Sequence, residues 1–118
     1  MKVKRIVRKT LGIKSPLDQY QFNIEVVNAN EISGWAYKNE QPDHVPNIEI
    51  VSEHKVIHST LANIYREDLD EAKIGNGRYG FNFDLSVKVI PEGVKSFDIF
   101  IDGLKANSSS FSRNQRKF

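Results

Sequence analysis

The 118-residue sequence predicts an all-β fold, an antiparallel β-sandwich of immunoglobulin-like or jelly-roll type with about seven strands and a short N-terminal amphipathic helix. Three observations support this prediction. From Tyr20 onward apolar residues alternate with polar ones, the period of two that is typical of half-buried strands. Turn-forming residues interrupt this alternation about every 8–12 residues. The sequence contains no strand–helix–strand unit of about thirty residues, which a parallel sheet would require.

Residues that favour turns separate the predicted strands. The first six strands are predicted at residues 20–26, 32–38, 48–52, 56–63, 81–87 and 97–101, and a seventh begins at Leu104. Asp102-Gly103, just before the last strand, is a dipeptide typical of type I′ hairpin turns. The polar segment 65–72 is compatible with one helical turn. From Asn107 onward the sequence predicts a frayed tail.

Charge and periodicity divide the chain into a leader, a body and a tail. Residues 1–14 contain six basic residues and no acidic one. Their apolar residues share one face of a helix, at i, i+3, i+4 and i+8: Val3, Ile6, Val7 and Leu11. Residues 15–112 hold eight basic and fifteen acidic side chains, and 113–118 add three basic ones. We therefore predict a basic amphipathic leader helix over 1–14, a β-sandwich domain over 18–112 and a basic tail over 113–118.

The leader has three possible binding surfaces, namely its own domain, a partner protein and an anionic membrane. Four of its basic residues are the candidates for membrane or partner contact: Lys4, Arg5, Arg8 and Lys9. The acidic body argues against a nucleic-acid-binding surface spread over the fold. Open edge strands in so small a sandwich are compatible with a homodimer.

Composition excludes several classes of protein and of site. The sequence has no cysteine, which rules out disulfides, thiolate zinc sites and cysteine nucleophiles. No apolar run approaches the roughly 18 residues of a transmembrane helix. The N-terminus lacks the apolar segment of a secretory signal. We therefore expect a cytoplasmic protein, either free or peripheral at the inner face of the membrane.

Residues 75–80, "GNGRYG", match the G-x-G-x-x-G pattern of dinucleotide-binding loops. That pattern binds a pyrophosphate only where the glycines follow a strand and open a helix. Here a polar segment precedes Gly75 and an alternating strand follows Gly80. We therefore predict a structural loop in which Gly75 and Gly77 supply positive φ and Gly80 makes room where the chain enters the sheet. No cofactor is expected.

Other motifs of catalytic or metal chemistry are incomplete. His54 and His58 have the spacing of a helical zinc pair, but on a turn and a strand that spacing separates them by about 13 Å. Asp68 and Asp70 begin like a calcium loop, yet Lys73 stands where the obligatory glycine belongs. We expect no metal site and no catalytic residue, so the chain is not expected to be an enzyme.

Four side chains are candidates for ligand binding: Trp35, Tyr37, Arg66 and Asp68. Trp35 and Tyr37 point to one face of a strand, and Gly34 and Ala36 point to the other. A lone tryptophan in a sandwich usually fills the core, and an arginine beside acidic residues usually forms a structural ion pair. One scheme joins the candidates, with Arg66 beside Trp35 as a cation–π pair and Asp68 capping the turn before the glycine loop.

The same residues carry a resemblance to a known group of domains. The matching positions, spread over residues 31–103, are Gly34-Trp35-Ala36, Ala62, Arg66, Asp68, Gly75 or Gly77, Gly80-Phe81 and Phe83. This pattern resembles a small β-sandwich module associated with bacterial glycosyltransferases and with proteins of capsule and O-antigen synthesis. The resemblance implies a non-catalytic accessory domain and supplies no catalytic residue. Because no transferase is attached to this module, a partner such as a glycosyltransferase is expected.

Two functions from different classes are compatible with these features. The first is carbohydrate binding in surface-polysaccharide biosynthesis, because aromatic rings stack on sugar C–H faces while amides and carboxylates bind hydroxyls. The second is a protein-interaction or scaffolding domain, tethered by its basic helix to a membrane-associated partner or to anionic lipid. The exposure of Trp35 is the observation that bears most directly on the first.

Overall fold

The alternation from Tyr20 onward produces two antiparallel β-sheets in the computed structural model, which describes residues 15–86, 90–91 and 93–112. Every strand pairing among these residues is antiparallel. The all-β prediction is therefore confirmed. The predicted leader helix, the basic tail and position 87 of the predicted fifth strand lie outside the described residues.

The described part of the chain contains nine strands and two short helices. A 3₁₀-helix at Pro16–Gln19 leads into the first strand, and its N-cap Ser15 accepts a hydrogen bond from the N–H of Leu17 (3.2 Å). The strands are β1 Tyr20–Val27, β2 Glu31–Lys38, β3 Asn47–Ser52, β4 Lys55–Leu61, β5 Ile64–Tyr65, β6 Arg78–Asp84, β7 Ser96–Ile101, β8 Leu104–Lys105 and β9 Phe111–Ser112. The helix α1, Glu67–Glu71, lies between β5 and β6.

The strands form two sheets, here named sheet A and sheet B. Sheet A has the order β1-β2-β6-β5. Sheet B has the order β4-β3-β7-β8, and β9 also pairs with β7. The chain therefore crosses from sheet A to sheet B after β2, returns after β4, and crosses again after β6.

A single apolar core lies between the sheets. Sheet A contributes Ile32, Ala36, Phe81 and Phe83, and sheet B contributes Ile48, Ile50, Ile99 and Ile101. All of these side chains are almost fully buried, as their alternation with polar residues predicts. Burying one such large apolar side chain contributes about 1.5–3 kcal/mol, so this layer is the main stabilising feature of the fold.

The structure differs from the sequence prediction mainly where strands are short. β5 and β9 have two residues each, too few to show a period of two. The fifth predicted strand begins at Arg78 rather than at residue 81, because Arg78-Tyr79-Gly80 pairs with the neighbouring strands although it lacks alternation.

The frayed tail predicted from Asn107 onward is wrong for residues 107–112. The Asn107 side chain accepts a hydrogen bond from the Ile99 N–H (2.8 Å) and donates to Asp98 (2.9 Å). This anchors the segment to β7. Phe111 then packs its ring 5.7 Å from that of Phe97, centroid to centroid.

Candidate functional site

The residues singled out in the sequence come together around sheet A. Trp35 and Tyr37 lie on β2, and Gly80 lies on the neighbouring β6. Arg66 connects β5 to α1, and Asp68 is in the first turn of α1. Gly75 and Gly77 form the loop from α1 to β6.

Trp35 lies outside the main core. On β2 the core side is formed by Ile32, Gly34 and Ala36, all fully or almost fully buried, whereas Trp35 is half-buried. Its directly opposed neighbours in the sheet are Asn23 on β1 and Gly80 on β6. The indole packs against a separate apolar cluster, named here the satellite cluster, which consists of Tyr37, Leu69, Tyr79 and Ile74.

Tyr37 is part of the satellite cluster rather than of an open surface. Its side chain is 9% exposed, and its ring centroid lies 4.8 Å from that of Tyr79. The Tyr79 hydroxyl donates to the carbonyl of Pro42 (2.9 Å). These contacts leave Tyr37 little surface for a ligand and make it a support for Trp35.

Arg66 joins the two outer strands of sheet A. Its guanidinium donates to both carboxylate oxygens of Glu25 on β1, at 2.7 and 3.1 Å. Its Nε and Nη2 donate to Asp68, at 3.1 and 2.9 Å. Because Arg66 follows β5 and Glu25 lies in β1, their side chains bridge the two inner strands, β6 and β2. Arg66, Glu25 and Asp68 are named the Arg66 strap.

The predicted cation–π pair between Arg66 and Trp35 is wrong, because Arg66 belongs to the strap instead. Two carboxylates, not the indole, bind the guanidinium. The cation–π contacts among the described residues are instead Arg78 over Tyr65 and Lys38 over Tyr20. The structural ion-pair interpretation of Arg66 fits this geometry, because a bidentate arginine–carboxylate pair fixes both position and orientation.

The strap also explains Gly80. A Cβ atom built on Gly80 would lie 3.1 Å from Cγ and Cδ of Arg66 and 3.0 Å from the Ile64 carbonyl oxygen. The aliphatic stem of Arg66 therefore runs over the backbone of β6 at Gly80, which is the residue directly opposite Trp35. Gly80 makes room for an arginine stem.

Charge pairing shifts the pKa values of Arg66 and Asp68. Hydrogen bonds to Glu25 and then to Asp68 raise the pKa of the Arg66 guanidinium above its usual value. The Arg66 hydrogen bonds lower the pKa of the Asp68 carboxyl, which is 62% exposed. Both groups are therefore held in their charged forms at neutral pH.

The glycine loop holds the backbone of Arg66. Gly75 and Gly77 both have positive φ, at 48° and 80°, as predicted. The N–H of Arg66 donates to the carbonyl of Gly77 (2.8 Å), which closes the loop. A Cβ on Gly77 would lie 2.9 Å from Cβ of Asp70 and 3.1 Å from the Arg66 carbonyl oxygen. β6 begins directly at Arg78, so the glycines open a strand and offer no helix N-terminus to a phosphate.

The outer side of sheet A surrounds Trp35 with small polar groups. Asn23 lies directly opposite Trp35, and Ser33 lies opposite Asn82 on β6. Asn23 and Asn82 are exposed, and Ser33 is half-buried. Asn23, Ser33, Trp35 and Asn82 are named the Trp35 face. Chemically it combines one aromatic ring with two amides and a hydroxyl, which donate and accept hydrogen bonds.

A second polar cluster, at the end of the sandwich where β1 begins, was missed by sequence reasoning. The Asp102 carboxylate accepts hydrogen bonds from the Tyr20 hydroxyl (2.6 Å) and the Asn47 N–H (2.8 Å), and it lies 2.7 Å from Nε2 of His44. Burial raises the pKa of Asp102, but the hydrogen bonds from Asn47, Tyr20 and His44 outweigh it and lower the pKa. Only the Asp102-Gly103 turn signal pointed to this position, and it predicted a turn rather than a cluster.

Asp102 makes the stability of the fold sensitive to acid. Because its folded-state pKa is depressed, its contribution is complete above the unfolded pKa of about 3.9 and is lost as the pH falls through the lower folded pKa. We expect urea unfolding to show a steeper loss of stability below about pH 4 in the wild type than in Asp102→Asn. Asn is the suitable replacement, because residue 102 has φ of 49° and asparagine tolerates that conformation. Equal slopes for the two proteins would contradict this assignment.

Metal-binding clusters and membrane-spanning helices are absent from residues 15–86, 90–91 and 93–112. No group of three His, Cys, Asp or Glu side chains there could hold a metal ion. His54 is in the β3–β4 turn with φ of 65°, and His58 lies on β4 with its ring 5.7 Å from that of Phe83. None of the helices in these residues has the length and apolar character needed to span a bilayer. Comparisons with protein-family models, with curated proteins and with solved structures find no match to this chain.

Proposed function

We propose that this protein is a non-catalytic, carbohydrate-binding accessory module of bacterial surface-polysaccharide biosynthesis, and that it binds sugars on the Trp35 face. The proposal includes an immunoglobulin-like or jelly-roll-type sandwich and a glycosyltransferase as the partner. It rests on the resemblance of the G-W-A, A-x-x-x-R-x-D and G-F-x-F segments to glycosyltransferase-associated modules. The half-buried indole on a polar sheet surface is the observation that carries it.

Sugar recognition suits the chemistry of the Trp35 face. An indole ring offers a large, rigid apolar surface to the C–H face of a pyranose, and neighbouring amides can bind its hydroxyls in either direction. Asn23 and Asn82 lie on the strands to either side of Trp35. The Asn82 amide donates a long hydrogen bond, 3.3 Å, to Glu31, which a ligand hydroxyl can replace.

The remaining candidate residues support the ring rather than contact the ligand. Tyr37 packs behind Trp35 in the satellite cluster, and Arg66 is bound to Glu25 and Asp68. A rigid scaffold of this kind lowers the entropy cost of binding, because the indole is already held in place. We therefore assign ligand contact to Trp35, Asn23, Ser33 and Asn82, and support to the Arg66 strap.

The experiment is a titration of the 118-residue protein with oligosaccharides released from bacterial capsule and O-antigen, and with nucleotide sugars. Trp35 is the only tryptophan, so its fluorescence reports the Trp35 face alone. We expect saturable fluorescence changes with at least one glycan. In calorimetry, Trp35→Ala should weaken binding about tenfold or more, because it removes the stacking surface.

Matched variants separate a binding defect from a folding defect. Tyr65→Ala removes an exposed aromatic ring outside the Trp35 face and should leave affinity unchanged. Circular dichroism checks that each variant is folded. If every glycan and nucleotide sugar fails to change the fluorescence of the folded wild type, sugar binding is excluded.

The second candidate function is a scaffolding domain tethered by its basic leader. The observation in its favour is the charge asymmetry between residues 1–14 and the acidic body. The two functions respond differently to deletion of residues 1–14. Sugar binding on sheet A should survive the deletion, whereas a tether predicts that attachment to vesicles containing anionic lipid is lost.

A further inference from the structure

One end of the sandwich carries a group of exposed apolar side chains. Among the described residues, four large apolar side chains that are 42–48% exposed lie on or beside the two outer strands at this end: Val45, Leu61, Ile64 and Tyr65. These four residues are named the end patch. Leu61 ends β4, the outer strand of sheet B, and Ile64-Tyr65 is β5, the outer strand of sheet A. The N–H of Ala62 donates to the carbonyl of Pro46 (2.9 Å). This hydrogen bond brings Val45, the residue before Pro46, towards the end of β4.

The chain enters the domain at this same end. Tyr20 at the start of β1 pairs with Lys38 at the end of β2, and Tyr65 pairs with Arg78 at the start of β6. Tyr20 and His44 bind one carboxylate, that of Asp102, and Val45 is the residue after His44. β1 therefore begins at the end of the sandwich that carries the end patch, and the leader, residues 1–14, precedes it along the chain by five residues.

Length and geometry allow the leader to reach the end patch. β1 and β5 are the two outer strands of sheet A, three strand spacings or about 15 Å apart. Fourteen residues span about 21 Å as a helix and more when extended. The leader is thus long enough to cross the end of the sheet from β1 to β5.

Charge also favours this contact. The helix α1, which begins two residues after Tyr65, contains four acidic residues, of which Asp68 is paired with Arg66: Glu67, Asp68, Asp70 and Glu71. Asp70 accepts a hydrogen bond from the Tyr65 hydroxyl (2.6 Å), so acidic side chains lie at the border of the end patch. The leader has the complementary pattern, with an apolar stripe of Val3, Ile6, Val7 and Leu11 among six basic residues.

From these observations we propose that the leader folds back on its own domain, with its apolar stripe covering the end patch and its basic residues facing α1. Natural proteins protect exposed strand edges by covering them with a helix or a loop, and here the leader would cover β5 and the end of β4. This proposal is independent of sugar binding, because the end patch and the Trp35 face consist of different residues.

The test compares the 118-residue protein with Ile6→Asp/Val7→Asp, which places charge in the apolar stripe. Gly12→Asp is the control, since at 100° per residue it adds an acidic residue on the helix face opposite the stripe. NMR spectra of the double variant should change at Val45, Leu61, Ile64, Tyr65 and α1, and the control should leave these signals in place. Cleavage by trypsin within residues 1–14 should be about tenfold faster in the double variant than in the control.

Three results would overturn the proposal. The first is an unchanged end patch in the double variant and in a chain that lacks residues 1–14. The second is sedimentation of the wild type as a dimer with end-patch signals that depend on concentration, which assigns the surface to a second copy. The third is contact of the leader with vesicles of phosphatidylglycerol while the end patch stays exposed in the wild type, which assigns the leader to lipid.

Discussion

Gly34→Ala is expected to lower the free energy of unfolding by at least about 3 kcal/mol, a large share of the about 5–15 kcal/mol that stabilises a typical domain. The cause is a close approach between strands. A Cβ atom on Gly34 would overlap the carbonyl oxygen of Asn23 and would lie 3.1 Å from Cα of Ile24. Gly34 lies opposite Ile24 on β1, directly beside an irregularity in the register of β1 between Ile24 and Val26. The obstacle is backbone, so it cannot rotate away as a side chain could.

Urea unfolding followed by circular dichroism measures this effect. Ser33→Ala is the control, because it changes the neighbouring residue of β2 on the opposite side of the sheet. We expect Ser33→Ala to stay within about 0.5 kcal/mol of the wild type. A folded Gly34→Ala with near wild-type stability would mean that β1 and β2 are not as close as described.

The second large effect is expected for Arg66→Ala, which should cost about 2–3 kcal/mol of stability. The substitution removes a bidentate pair with Glu25 and leaves two carboxylates without their cation. It also removes the aliphatic stem that lies over Gly80. Arg66→Lys should restore little of this, because an ammonium group cannot bind both oxygens of Glu25 and Asp68 in the same geometry.

A double-mutant cycle tests whether Arg66 acts through Glu25. If the strap joins β1 to β5, Glu25→Ala combined with Arg66→Ala should cost clearly less than the two single effects added together. The control cycle combines Arg78→Ala with Glu25→Ala and should be additive. Arg78 is an exposed arginine that lies over the Tyr65 ring and is not part of the strap. Additive effects of Arg66 and Glu25 would show that the strap is not a cooperative unit.

The sequence predicted the sheets well because their core residues alternate. Ile48 and Ile50, or Phe81 and Phe83, are separated by single polar residues, and this pattern requires a two-sided strand. The two positive-φ glycines of the loop were also predictable, because Gly75 and Gly77 stand between the polar segment 65–72 and an alternating strand, where a turn is needed. These features depend on neighbours along the chain, which a sequence displays directly.

Features that depend on distant residues could not be predicted in the same way. Glu25 and Arg66 are 41 positions apart, and no spacing in the sequence indicates that they meet. The sequence prediction therefore paired Arg66 with Trp35, the single tryptophan, and not with the carboxylate across the sheet. The cluster of Tyr20, His44 and Asp102 combines three separate segments and left no local signal either.

The sequence did not determine whether Trp35 is exposed or buried. Alternation assigns a side chain to one face of a strand without saying which face is covered. Gly80, directly opposite Trp35, has no side chain that could enclose the indole, and the Arg66 stem lies beside Gly80. The indole is half-buried. The polar groups of the Trp35 face also come from three different strands. Their proximity appears only once β1, β2 and β6 are paired.

If sugars bind to the outer side of sheet A, as we propose, NMR mapping on the ¹⁵N-labelled 118-residue protein will locate them there. During titration with capsular or O-antigen oligosaccharides, we predict progressive shifts of the Trp35 indole N–H and of the Asn23, Ser33 and Asn82 signals, while sheet B stays unchanged. Binding that shifts residues of sheet B and leaves the indole signal in place would contradict the account.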